Sequence, residues 1–258
     1  MKTLVIGELG STPEGNLDTM KRLVDCAANC GANVAKNQWV SDAQAMCDRR
    51  HAPEYLDSYR LLQYPLEWHA ELRDYAHGRG LQYACTAYIP GDPARLAPFV
   101  DYLKLSSFEA DDGALFRQAR RAAGVNRLIM SYGMGARLRN DPHCFHLACI
   151  SAYPAPLSEL NLGVLGYQGD QPEFDGFSDH SRDVRVGAWA VAAGARILET
   201  HFRLDDCGSA NRDYAVAFTP AEFKEYIRNV RDCEQAMGDW VKRIQDCERE
   251  MERFKVRV

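Results

Sequence analysis

An eight-stranded (β/α)8 barrel is the fold that the sequence predicts, and three observations predict it. Short β-rich runs alternate with helix-spaced amphipathic segments through 258 residues, the usual length of one such barrel. Eight such runs can be drawn. Polar residues sit at the C-terminal ends of nearly all of them, where barrel loops build their sites. A doubly wound sheet shares the alternation, and it is the clustering of polar strand ends that favours the barrel.

In chain order the predicted strands are "TLVIGEL" (3–9), "ANVAKNQW" (32–39), "LQYACTAY" (81–88), "DYLKLSS" (101–107), "RLIMSY" (127–132), "FHLACIS" (145–151), "DGFSDH" (175–180) and "ARILETHF" (195–202). Helical patterns lie between them at 16–31, 65–80, 111–124 and 181–194, each closed by the glycine expected just past a helix end. Between the fifth and sixth runs stands only "GMGARLRNDPHC", with Pro142 inside it, so the fifth helix is expected to be shortened or absent. No low-complexity linker or internal repeat interrupts the chain. The barrel is predicted to occupy 1–238, followed by a C-terminal helical tail over 239–258. In that tail Val241, Ile244, Cys247 or Glu248, Met251 and Phe254 follow a helical stripe, a docking or dimer helix or a solvated extension.

Composition narrows the partners. A net charge of -5 and a pI near 5.8 give no basic footprint, which argues against nucleic acid and for a small-molecule substrate. The apolar run at the start is five residues long before Glu8, too short for a secretory signal, and no run reaches membrane-spanning length. A soluble, cytoplasmic protein with no membrane partner is expected. Nine cysteines without framework spacing suit a reducing compartment.

The strand ends carry the chemistry. Lys36 with Gln38, Ser178 with His180, and Glu199 with His201 are each two residues apart and project to one face of their strand. With Glu8, Thr86, Lys104, Ser107, Ser131 and Ser151 they make a site of two lysines and several hydroxyls, suited to a phosphate and a carboxylate. His180 and His201, on adjacent strands, can bind a divalent metal through imidazole nitrogens and leave positions open for substrate or water.

The stretches "IGELGS", "AKNQ", "YLKLSSFE", "IMSYGM", "ACISAYPAP", "GFSDHS", "AGARILETHFRLD" and, more loosely, "NRDYAVAFTPAEF" occur in order between about residues 3 and 236. In these the chain resembles the sialic acid synthase (NeuB) family, enzymes that condense phosphoenolpyruvate with an N-acylated hexosamine. The resemblance implies a (β/α)8 synthase whose manganese, or alternatively magnesium or cobalt, is held by His180 and His201. It implies phosphoenolpyruvate contacts from Lys36, Thr86, Lys104, Ser107, Ser131, Ser151 and Ser178, with Gln38 and Tyr153 also among the substrate-binding positions. Glu8, Glu199 and Asp213 fall on acidic positions near acceptor and metal. The implied product is a nonulosonic sugar acid, and the implied assembly is a homodimer.

The chain departs from the family pattern at Thr12 and Pro13, where an Asn-His pair is usual, at Ala148 and Ala152, and at Asn37. That suggests retained donor chemistry with an altered acceptor. The family's small antifreeze-like domain, expected to follow near "ERFKVRV", is not in these residues, so a separate antifreeze-like protein is a further expected partner. The alternative reading is a non-catalytic or partner-dependent barrel that keeps the metal and anion pocket. A hydrolase or isomerase on the same scaffold is a third.

Each signal also has a plainer reading. A lone "SDH" is more often a turn or a cap, with Asp179 or Ser181 capping a helix from Arg182. "HCFHLAC" invites a zinc reading, but its spacing fits no structural zinc site and alternation splits it between faces; a buried cysteine strand is expected. Cys26 and Cys30 are read as core residues, and "GMGARL" as a turn.

Overall fold

Eight parallel strands close on themselves in chain order. The computed structural model of the chain describes residues 2–125, 127–166, 173–239 and 241–256. The strands are β1 (Leu4–Glu8), β2 (Val34–Trp39), β3 (Gln82–Ala87), β4 (Tyr102–Leu105), β5 (Leu128–Tyr132), β6 (Cys144–Cys149), β7 (Gly176–Asp179) and β8 (Ile197–His201). Closure comes from β8 pairing with β1, with Glu8 opposite His201. Each predicted strand overlaps one of these, and β6 starts one residue earlier than expected, at Cys144.

Period-two alternation sorts the strand residues into two layers. Val5, Ala35, Cys85, Leu103, Met130, Phe177 and Leu198 face outward into the main core beneath the helices. Ile6, Val34, Ala84, Ile129, Leu147 and Ile197 face inward and plug the barrel. The next inward positions, two residues toward the C-terminal ends, are Glu8, Lys36, Thr86, Ser131, Cys149 and Glu199. An apolar floor therefore carries a polar layer directly above it. Close approach at the β7–β8 seam explains Gly176, where an added Cβ would lie 1.8 Å from the Ile197 carbonyl oxygen.

The helices are α1 (Leu17–Cys30), α2 (Ala43–Arg50), α3 (Leu56–Arg60), α4 (Trp68–Gly78), α5 (Asp92–Leu96), α6 (Gly113–Ala123), α7 (Val186–Ala193) and α8 (Pro220–Met237). Local chemistry sets their ends. Asn16 caps α1 by accepting the Thr19 N–H, and Gly31, at φ 89°, closes it in the left-handed region. Thr219 and Glu222 form a reciprocal capping box around Pro220 at the start of α8. α7 begins at Val186 without a side-chain cap, so the cap expected from Asp179 or Ser181 is not formed. Asp179 instead accepts the Ser181 N–H, and Ser181 Oγ the Asp183 N–H, in a turn ahead of the helix.

No helix joins β5 to β6, where residues 133–143 run through turns. A helical C-terminal region is present as α8 and, beyond it, two 3-10 turns, Asp246–Glu248 and Met251–Phe254. Val241, Ile244, Met251 and Phe254 are exposed there. Trp240, Arg257 and Val258, which belong to the predicted tail, lie outside the described residues. Among the described residues no helix is long and apolar enough to cross a membrane. All nine cysteines are free. Cys144 and His146 belong to a buried strand, with the His146 ring nitrogens against the Tyr132 hydroxyl and the Asp141 carbonyl.

One histidine of the outer core yields a pH prediction. His69 on α4 is fully buried between Trp39, Tyr64 and Tyr83, with Nδ1 2.9 Å from the Tyr83 hydroxyl and Nε2 unpartnered. Burial lowers its pKa from 6.5 to about 3. The unfolded chain therefore takes up this proton first, and the contribution is whole above pH 6.5 and lost as pH falls toward 3. At about 1.4 kcal/mol per unit, acidification to pH 4 should remove roughly 3 kcal/mol. Thermal melts between pH 7.5 and 4 should show a decline that flattens in His69→Phe; an unchanged slope in that variant would contradict the assignment.

Candidate active site

The polar layer opens into a cavity of about 280 Å³ at the C-terminal mouth of the barrel. Its inner end is a network of lysines and carboxylates fixed by strand register. Lys36 lies opposite Glu8 across the β1–β2 seam, and Thr86 opposite Lys104 across β3–β4. Lys36 Nζ donates to Thr86 Oγ1 at 2.8 Å, forms an ion pair with Glu8, and lies 3.8 Å from Glu199. Lys104 Nζ donates to Ser131 Oγ at 2.8 Å and sits 3.4 Å from Glu199. Ser131 and Ser178 are joined at 2.6 Å, and Ser178 donates to Glu199 at 3.3 Å. Two lysines and three hydroxyls thus converge on one buried volume.

The electrostatics follow from burial against charge. Desolvation pulls the Lys36 ammonium down, but Glu199 and Glu8 outweigh it and the pKa is raised. For Lys104 desolvation wins over the attraction of Glu199, and the pKa is lowered. Burial would raise Glu199, yet Lys104 and Lys36 hold it down to about 2. Glu8 accepts from the Gly10 N–H at 2.9 Å and from Gln38 Nε2 at 3.0 Å. The lysines are balanced by carboxylates and can exchange them for an anionic ligand.

The histidines stand at the outer end of the same cavity. Their ring centroids are 5.7 Å apart, with the Tyr153 ring tilted against His180 at 4.4 Å and edge-on to His201 at 6.2 Å. His180 Nδ1–H donates to the Ile150 carbonyl at 2.8 Å, which leaves Nε2 as a lone pair. That is the outer-shell arrangement typical of a metal-binding imidazole. Burial, reinforced by His201, lowers the His180 pKa to about 4 and keeps the ring neutral. His201 Nδ1 is buried without a hydrogen bond, 3.8 Å from Asp213. The donor set fits a borderline divalent cation, with two imidazoles supplying part of a shell. Among the described residues no group of three or more His, Cys, Asp or Glu side chains is arranged to hold a metal.

Asp213, on the loop after β8, accepts from the Ser11 N–H at 2.7 Å and from Ser11 Oγ at 2.9 Å. Burial would raise its carboxyl, but His201 and the Ser11 bonds keep the pKa low. Of the predicted positions, Glu8, Lys36, Gln38, Thr86, Lys104, Ser107, Ser131, Tyr153, Ser178, His180, Glu199, His201 and Asp213 line the cavity together. Ser151 stands behind that wall, its Oγ 2.8 Å from Ser107 Oγ. Thr12, Pro13, Asn37, Ala148 and Ala152 are absent from the wall. Asn37 turns outward to the Tyr83 hydroxyl and Thr12 donates to the Leu9 carbonyl.

The remaining wall was not predicted. Met46, Arg50, Tyr55, Ser58, Tyr59 and Leu62 come from α2, α3 and their flanks, and Ser11, Tyr88, Ser106, Phe108 and Arg212 from strand-following loops. The available signal was length, since the 28 residues between Trp39 and Trp68 exceed an ordinary barrel loop.

A sequence model described as the NeuB family matches residues 23–242. The chain belongs to the NeuB family. Relatives within reach of its sequence include the N,N'-diacetyllegionaminic acid synthase of Campylobacter jejuni, 27% identical over 93% of this chain and 79% of that protein. The human N-acetylneuraminate-9-phosphate synthase is 28% identical over 92% of this chain and 72% of its own length. The crystal structure of the spore coat polysaccharide biosynthesis protein SpsE of Bacillus subtilis covers 98% of this NeuB-family chain and 77% of its own at 26% identity, with a TM-score of 0.77. The fold is shared with the N-acetylneuraminic acid synthetase of Leptospira borgpetersenii, at a TM-score of 0.85, 20% identity, and 98% and 91% coverage.

Proposed function

We propose that this NeuB-family barrel condenses phosphoenolpyruvate with an aldose, an N-acylated hexosamine or a related sugar, to give a nonulosonic acid and phosphate. The observation that carries the reading is the buried set Lys36, Lys104, Thr86, Ser131 and Ser178, converging on one volume beside a neutral histidine pair. It suits a small polyanion next to an electrophile.

In this reading C3 of phosphoenolpyruvate bonds to the aldehyde carbon, whose oxygen takes a proton. Water adds at C2, and the C2–O bond to phosphate breaks so that phosphate departs. Lys36 and Lys104 hold the donor's anionic groups, while the hydroxyls of Thr86, Ser131 and Ser178 turn from their present partners to the ligand. Glu8, held by Gln38 and the Gly10 N–H, orients the acceptor or the attacking water. Glu199 favours the charged form of both lysines before the donor arrives. His180 and His201 are the residues that would hold a divalent cation, manganese first and magnesium or cobalt as alternatives, and when bound it stabilises negative charge on the former aldehyde oxygen. Tyr153 packs on both rings, and Asp213 lies beside His201.

The test is phosphate release by the purified chain with manganese, phosphoenolpyruvate and a panel of aldoses, including N-acetylmannosamine and its 6-deoxy diamino relatives. Release that requires an aldose and disappears in His180→Ala is the expected result. Donor binding with silence across the panel, with and without an added antifreeze-like domain, would favour the non-catalytic barrel.

A further inference from the structure

Among the described residues four lysine and arginine side chains line the cavity, and three of them have a carboxylate partner. Lys36 pairs with Glu8, Lys104 with Glu199, and Arg50 with Glu109 at 2.6 Å. The fourth is Arg212, at the rim, with no ion pair or hydrogen bond among the described residues. The carboxylate beside it in the chain, Asp213, attracts it at a distance but makes no ion pair with it, because Asp213 is turned inward to the Ser11 N–H and hydroxyl. Arg212 is nonetheless held in place. Its guanidinium lies 4.9 Å from the ring centroid of Tyr55 and 5.9 Å from that of Tyr59, both contributed by the segment between β2 and α4.

A guanidinium resting on aromatic faces keeps its N–H edges free, and a flat fork of donors matches a carboxylate or phosphate. Its place in the fold gives the direction. Arg212 precedes Asp213, which lies 3.8 Å from His201, whereas the lysines and serines of the donor network occupy the inner end. An aldose with its aldehyde at the histidine pair and its body pointing outward runs toward the cavity wall to which Arg212 belongs.

We propose that Arg212, held by Tyr55 and Tyr59, is a specificity residue that receives an anionic substituent on the acceptor, a phosphate or carboxylate at the end remote from the aldehyde. The inference rests on the synthase reading for the identity of the acceptor. The anionic subsite itself rests on the unpaired guanidinium.

The experiment is calorimetry on the full chain with manganese, with and without phosphoenolpyruvate. The titrants are three alditols that lack the reactive aldehyde: that of an N-acylated hexosamine, its 6-phosphate, and its counterpart with a terminal carboxylate. A charge-assisted bidentate contact at a rim predicts that at least one anionic alditol binds about tenfold tighter than the neutral one. The phosphate and carboxylate arms tell which anion the site prefers. Arg212→Gln should bring the ratio close to one, and Arg212→Lys should keep part of it. Equal affinity for neutral and anionic alditols, no binding of any of them, or a preference that survives in Arg212→Gln would each overturn the inference. Failure to bind phosphoenolpyruvate with the alditol preference intact would count against the synthase reading alone and support the anionic subsite.

Discussion

Replacing Lys104 by Met is expected to weaken phosphoenolpyruvate binding roughly a hundredfold, the scale of one or two charge-assisted hydrogen bonds in a desolvated site. Methionine keeps most of the length and removes the charge. Lys104 is 2% exposed and its ammonium donates to Ser131 Oγ and the Leu105 carbonyl, so its position is fixed before any ligand arrives. Its pKa is lowered by burial, offset in part by Glu199, which makes this lysine readier than Lys36 to lose its proton. Donor affinity should therefore decline on the alkaline side before the fold does, and that decline should be absent from the residual binding of the variant. Calorimetric titration of both proteins across pH 7 to 10 measures this. A Lys104→Met protein that binds the donor as well as the wild type would exclude the inner network as the donor site.

Substituting Glu199 by Ala should act on stability and chemistry together. Glu199 lies between two buried lysines, 3.4 Å from Lys104 and 3.8 Å from Lys36, and it accepts from Ser178. Removing one partner of a buried ionic cluster costs about 3 to 5 kcal/mol, because the remaining charges keep their desolvation penalty without compensation. Urea unfolding should show the midpoint falling with no change in slope. Phosphoenolpyruvate should raise the melting temperature of Glu199→Ala more than that of the wild type, since the donor's negative charge replaces the lost carboxylate. A stability change below about 1 kcal/mol, or an equal ligand shift in both proteins, would mean that Glu199 does not balance the lysines.

The parts of this molecule visible from sequence are those set by strand periodicity. Alternation placed Lys36 with Gln38, Ser178 with His180, and Glu199 with His201 on single faces, and the closed barrel then carried those faces to one mouth. The plug of Ile6, Val34, Ala84, Ile129, Leu147 and Ile197 is the same pattern read two residues earlier. The segment of α2 and α3 was not legible in that way. Its helices are eight and five residues long, too short for a clear period, and they form a separate small core around Met46, Tyr59 and Tyr88. Arg212 was invisible for a related reason. An arginine in an irregular loop has no period, and only the fold brings Tyr55 and Tyr59 beneath it. By contrast the start of α8 is readable in the sequence, in Thr219, Pro220 and Glu222. The expected cap at Asp179 failed because Ser181, Asp183 and Arg185 form turns of their own before α7.

The central claim is that the inner polar layer is a phosphoenolpyruvate site adjoining a two-histidine metal position. A crystal structure of the chain soaked with manganese and phosphoenolpyruvate tests it most directly. The account predicts the donor's phosphate and carboxylate among Lys36, Thr86, Lys104, Ser131 and Ser178, with the ion on His180 and His201. A cavity free of donor at millimolar phosphoenolpyruvate, or an ion bound away from both histidines, would contradict it.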